Sequence, residues 1–83
     1  MSRQMKYIVM ERDCEPRIFI FQESIEHVNM ATVLHRFGKP VRAGFVYMTS
    51  EGIYCYGKSE SLRLVSDSKE DTAMLNKQLG QQD

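Results

Sequence analysis

Cysteine is scarce in this 83-residue sequence, which carries only Cys14 and Cys55. A small secreted scaffold would hold more of them, at framework spacings. Two isolated cysteines are instead expected as reduced thiols of a cytoplasmic protein, Cys55 buried in a strand and Cys14 in a turn. Excess charge of either sign is also missing, with 11 basic against 11 acidic residues. Nucleic-acid binders present a basic patch or stripe. Lys and Arg are scattered here, so nucleic acid is not an expected partner. A DNA mimic would need an acidic excess, and that is absent too. No apolar run is long enough to span a bilayer, and the opening MSRQMKY has no apolar signal core, so no membrane partner is expected.

Ligand spacing is lacking as well. The metal-ligating candidates Cys14, His27, His35 and Cys55 contain no C-x-x-C or comparable pair. His27 and His35 would stand roughly 12 Å apart along a helix, too far to share one ion. Cys55 with a histidine is the one nucleophile–base combination to consider, and a mid-strand cysteine between two tyrosines reads as inert core. Gly38, Gly44, Gly52 and Gly57 are dispersed and form no phosphate loop. The expectation is a protein without catalytic residues, metal or cofactor, and not an enzyme.

The chain does carry a legible order of strands and helices, organised around Lys39 to Val65. Lys6 to Glu11 and Arg17 to Phe21 read as an antiparallel hairpin, with Pro16 at the second strand's entry. Glu23 to Gly38 reads as a helix capped by Ser24, or starting at Met30 behind Asn29. Both residue types are good caps, and Gly38 with Pro40 ends the helix. Val41 to Met48 and Ile53 to Lys58 alternate as strands around the turn TSEG. Phe45 is expected in the core, and Leu62 with Leu64 forms a last short strand. In the closing helix Asp67 with Glu70, and Ser68 with Asp71, fit capping-box spacing. The expected fold class is α+β, a small, mainly antiparallel sheet in β-β-α-β-β-(β)-α order with the helices on one face. Residues 1–83 are expected as a single domain, with 1–4 and 81–83 as disordered tails.

Two groups of residues stand out as candidate sites. Arg17 to Phe21 is apolar on both faces, and a thin domain with helices on one side would leave one face open. Phe19 and Phe21, together with Tyr54 and Tyr56 on a later strand, are therefore interface candidates, and a twofold homodimer is the expected arrangement. If both faces of Arg17 to Phe21 are covered, the interface falls to the tyrosine face of Ile53 to Lys58. The second group is the polar corner of Ser59, Ser61, Arg63 and Ser66. Its hydroxyls, arginine and helix start suit a small anionic or nucleotide-like ligand. The competing use of those hydroxyls is to satisfy backbone groups at a turn and a cap.

Ala43-Gly44-Phe45, then Tyr56-Gly57 with Ser59, Ser61 and Leu62, then Glu70-Asp71 in the final helix, carry a resemblance over the C-terminal half. This pattern resembles a group of small accessory proteins of tailed phages and prophages. It departs from that group at Arg63, where a small residue is expected, and by one extra residue before the helix. The resemblance implies an origin rather than a mechanism. With it, the expected function is that of a phage or prophage accessory protein that binds a host protein or complex in the bacterial cytoplasm, to inhibit a defence system or to redirect a host pathway.

Overall fold

The computed structural model describes residues 3–80. Its elements are β1 (Arg3–Arg12), β2 (Glu15–Phe21), α1 (His27–Val33), a 3-10 turn (His35–Phe37), β3 (Lys39–Thr49), β4 (Gly52–Tyr56), β5 (Lys58–Ser59), β6 (Leu64–Val65) and α2 (Ser68–Gly80). Four strands form an antiparallel sheet in the order β2-β1-β3-β4, and β5 and β6 form a separate two-stranded ribbon. Arg3 and Gln4 are paired within β1, opposite Met48 and Tyr47, so that part of the expected N-terminal tail is strand. The rest of the expected tails, residues 1, 2 and 81–83, lies outside the described residues.

Alternation along β1 divides the core in two. Tyr7 and Val9 project to one side and Ile8 and Met10 to the other, and all four are fully buried. The first side packs with Ile18, Ile20, Val46 and Cys55 against Met74 and Leu75 of α2. The second packs with Phe19, Phe21 and Ala43 against Met30, Ala31, Leu34 and Phe37, and against Leu62 and Leu64. The α+β class and the mainly antiparallel sheet agree with the sequence reading. The helices, however, take opposite faces rather than one. Strands that are apolar on both sides leave two surfaces to cover, and each helix covers one of them.

The first helix is shorter than expected and uses neither proposed cap. Glu26 precedes it without a side-chain cap bond, and Ser24 donates instead to Gln22 Oε1 at 3.4 Å. A tertiary contact fixes the start: His27 Nε2 lies 2.9 Å from the Gly44 carbonyl oxygen. The helix tightens into the 3-10 turn, and Gly38 turns away at φ 110°. A Cβ there would fall 2.0 Å from the Glu11 carbonyl oxygen, so only glycine passes.

The second helix is anchored by its first turn. Asp67 Oδ1 accepts the Glu70 amide at 3.1 Å, the expected cap. The reciprocal bond, from the Asp67 amide, goes to Asp71 Oδ2 at 3.0 Å rather than to Glu70. Asp71 is fully buried. It also accepts from the Tyr7 hydroxyl and from Arg42 Nε at 2.7 Å, so three donors satisfy one carboxylate. The same turn covers the outer edge of β4. Thr72 Oγ1 accepts the Cys55 amide at 2.9 Å, and Ser68 Oγ donates to the Cys55 carbonyl at 2.6 Å. Those two groups would otherwise be open to pairing with another strand.

Candidate functional site

The two-residue turn at Ser50 and Glu51 sets the register of β3 against β4. Tyr47 stands opposite Tyr54, and Phe45 opposite Tyr56. Opposed residues of an antiparallel pair point to the same side, so four aromatic side chains share one face. It is the face that α1 covers further along the sheet, and α1 stops short of them. Tyr47, Tyr54 and Tyr56 remain 40%, 51% and 38% exposed. Phe45 and Tyr56 have ring centroids 5.9 Å apart at a tilt of 33°, and the Tyr56 hydroxyl bonds to Gln4.

Phe45 sits at the border of this face. It is half-buried rather than in the core as expected, with its ring edge-on to His27 at 5.9 Å. His27 also meets Phe21 edge-on at 5.5 Å, which leaves the imidazole wedged between two phenyl rings with 4% of its surface exposed. Burial lowers its pKa. The neutral ring donates from Nε2 to a carbonyl, which places the proton there. Beyond Phe45 a cleft of about 430 Å3 is lined by Lys6, His27, Phe45, Tyr56, Ser59 and Ser61, among others. Lys6 is itself held at the cleft, donating to the Ile25 carbonyl at 2.8 Å.

The interface candidates of β2 are not on this surface. Phe21 is buried, and Phe19 packs against Phe37 at a tilt of 49° with centroids 5.0 Å apart. Both belong to the chain's own core because α1 and the 3-10 turn cover one face of β2 while α2 covers the other. The polar corner is also largely committed to the backbone. Ser59 is buried and its Oγ accepts the Leu62 amide at 3.2 Å. Ser66 Oγ donates to the Gly57 carbonyl at 2.8 Å. Ser61 lines the cleft with Lys6, and Arg63 lines a neighbouring one. The four residues thus do not converge on one cavity.

Cys55 is fully buried, and burial pushes its thiol up to about 11, away from the reactive thiolate. Cys14 is exposed at the β1–β2 turn, and both cysteines are free. Among the described residues no group of three or more His, Cys, Asp or Glu could hold a metal ion, and no helix is long and apolar enough to cross a membrane.

Tyr47 is the residue that residue-type reasoning passes over. The signal for it lies in TSEG, since a two-residue turn there puts Tyr47 opposite Tyr54 by counting. No family model, no curated protein and no solved structure matches the chain.

Proposed function

We propose that the chain is a binding protein rather than an enzyme, and that it takes a protein partner on the face of Tyr47, Tyr54 and Tyr56. The observation that supports this is their joint exposure on a strand pair whose opposite face is closed by α2. Tyrosines supply large, rigid contact area with a hydroxyl at the rim, and they are enriched in interfaces for that reason. With the resemblance to phage and prophage accessory proteins, the partner is a host protein or complex. The site of action is the bacterial cytoplasm, and inhibition of a defence system is the use such stoichiometric binding serves. The homodimer expected through β2 loses its argument there, so a second copy would have to use the tyrosine face.

The test is affinity capture from bacterial lysate with the parent and a Tyr47→Ser/Tyr54→Ser variant, beside light scattering of both purified proteins. A stoichiometric companion retained by the parent and lost by a folded variant supports the proposal. Identical retention by both proteins overturns it. A parent dimer that the variant dissociates assigns the face to self-association. The second reading, a binder of a small anionic ligand, is favoured by an observation away from the serine corner, in the arginine-lined cleft at the β1–β2 turn.

A further inference from the structure

The arginine cleft lies at the far end of β1 from the tyrosines. Gln4 and Arg12 are eight residues apart on one strand, roughly 26 Å. The cleft, of about 450 Å3, is lined by Arg12, Asp13, Glu15, Arg17, Arg36 and Phe37. Phe37 gathers the charges: Arg17 Cζ is 5.9 Å and Arg36 Cζ 5.3 Å from its ring centroid. The ring is in turn held by Phe19. Arg12 donates from Nη1 to the Arg36 carbonyl at 2.8 Å, tying the 3-10 turn to the hairpin.

These guanidinium groups have little negative charge to meet. Arg12 has one carboxylate neighbour, Asp13, at a loose 3.9 Å. Among the described residues Arg17 and Arg36 form no ion pair, although Glu15 lines the same cleft. Like charges that line one cleft repel one another, and an anion in that cleft relieves the repulsion. Guanidinium forks match the oxygens of phosphate and of carboxylate. With three arginines against two acids the wall keeps a net positive charge. Attraction to it grows with the charge of the ligand, which favours a phosphate of nearly two charges over a carboxylate of one. The volume falls in the range of small-ligand clefts, which leaves room for the group that carries the phosphate.

We infer that this cleft binds the phosphate group of a small ligand, with Arg17 and Arg36 as anchors and Phe37 as their common support. The site shares no residue with the tyrosine face, so each stands or fails without the other.

The test is an NMR titration of the 15N-labelled chain with inorganic phosphate, with AMP and with acetate, at matched ionic strength. Saturable shifts confined to Arg12–Arg17 and Arg36–Phe37 are expected with phosphate and AMP, with acetate much weaker. Tighter binding of AMP shows that the carried group is also contacted, and equal binding shows that the phosphate alone is read. Arg17→Gln and Arg36→Gln should each weaken binding at least about tenfold. Both side chains are exposed, so an unchanged melting temperature checks that the fold is intact. Shifts that do not saturate, that acetate reproduces at equal concentration, or that survive both substitutions overturn the inference.

Discussion

The two faces of the sheet are built differently. Beneath α2 the core is closed, and the polar cluster of Tyr7, Arg42 and Asp71 inside it is bonded around the Asp71 carboxylate. On the other face a seven-residue helix and a 3-10 turn cover β1 and β2 but leave Tyr47, Tyr54 and Tyr56 of β3 and β4 partly exposed. Both faces bury part of the core, but only the second also holds a group of partly exposed aromatics, Tyr47, Tyr54 and Tyr56. Substitutions at the buried polar cluster and at the exposed tyrosines should therefore separate.

The largest effect is expected at Asp71. Asp71→Ala leaves the Arg42 guanidinium and the buried Tyr7 hydroxyl without their acceptor. Breaking a buried pair costs about 3–5 kcal/mol, with the lower end apt here because Arg42 retains 27% side-chain exposure. Against the roughly 5 kcal/mol a domain this small commands, most of the protein's stability is lost. Denaturant unfolding measures it; a midpoint close to the parent's would show that α2 is held by its apolar contacts alone.

Phe45→Ala, at the border of the two zones on the open face, comes next. Full burial would make it worth about 3–5 kcal/mol. Half-burial beside His27 and Tyr56 reduces the expected cost to about 2 kcal/mol. A loss as large as that of Asp71→Ala would place Phe45 in the core after all and shrink the open face to the three tyrosines.

Much of this was legible in the sequence. Strand alternation, the TSEG turn and the Asp67 cap each rest on local rules, and the structure follows them. The errors came where a distant contact outweighs a local preference. Ser24 and Asn29 are both good caps, yet the helix starts where His27 reaches Gly44. The both-sided apolar pattern of Arg17 to Phe21 calls for two covers, from within the chain or from another; both come from within, α2 on one side and α1 with the 3-10 turn on the other, which sequence pattern alone does not decide. Several residues of the AGF and YG-x-S-x-SL pattern serve the fold. A Cβ on Gly44 would lie 2.4 Å from the Tyr56 carbonyl oxygen, Gly57 sits at φ 83°, and Ser59 is buried. That pattern therefore speaks first to how β3, β4 and the corner fit together. The arginine cleft is not legible in the sequence because its members are distributed over 25 residues, from Arg12 to Arg36, and meet only through tertiary contacts, Arg12 with the Arg36 carbonyl and Arg17 and Arg36 on Phe37.

A smaller effect is expected from pH at His27. Burial lowers its pKa below the ordinary 6.5, so the fold prefers the neutral ring. As pH falls through about 6.5 the unfolded chain takes up the proton first. The contribution of His27 is then fully present above that value and is lost as pH drops towards the folded pKa. Lys6 and Glu26 lie beside the ring in the same cleft and remain in both proteins when His27→Gln is compared with the parent. Glutamine retains a donor for the Gly44 carbonyl without the titration. Melting temperatures between pH 7.5 and 5 should fall further for the parent than for the variant. Parallel profiles would mean that the imidazole titrates as it does in water and is not held neutral by its two phenyl neighbours.

The smallest effect on stability is expected at the tyrosines themselves. Tyr54 is about half exposed, on an edge strand whose backbone at Cys55 is already satisfied by α2. Tyr54→Ser removes a side chain that buries little, and surface substitutions of that kind stay within about 0.5 kcal/mol. The cost should be somewhat higher at Tyr56, whose ring packs on Phe45 and whose hydroxyl meets Gln4. Denaturant midpoints of Tyr47→Ser, Tyr54→Ser and Tyr56→Ser test the order. If Tyr54→Ser destabilises as much as Phe45→Ala, the tyrosines are part of the core's support, and the division between a closed face and an open one does not hold. If Tyr47→Ser and Tyr54→Ser are near neutral, their exposed rings are maintained for something other than folding, which a binding face would account for.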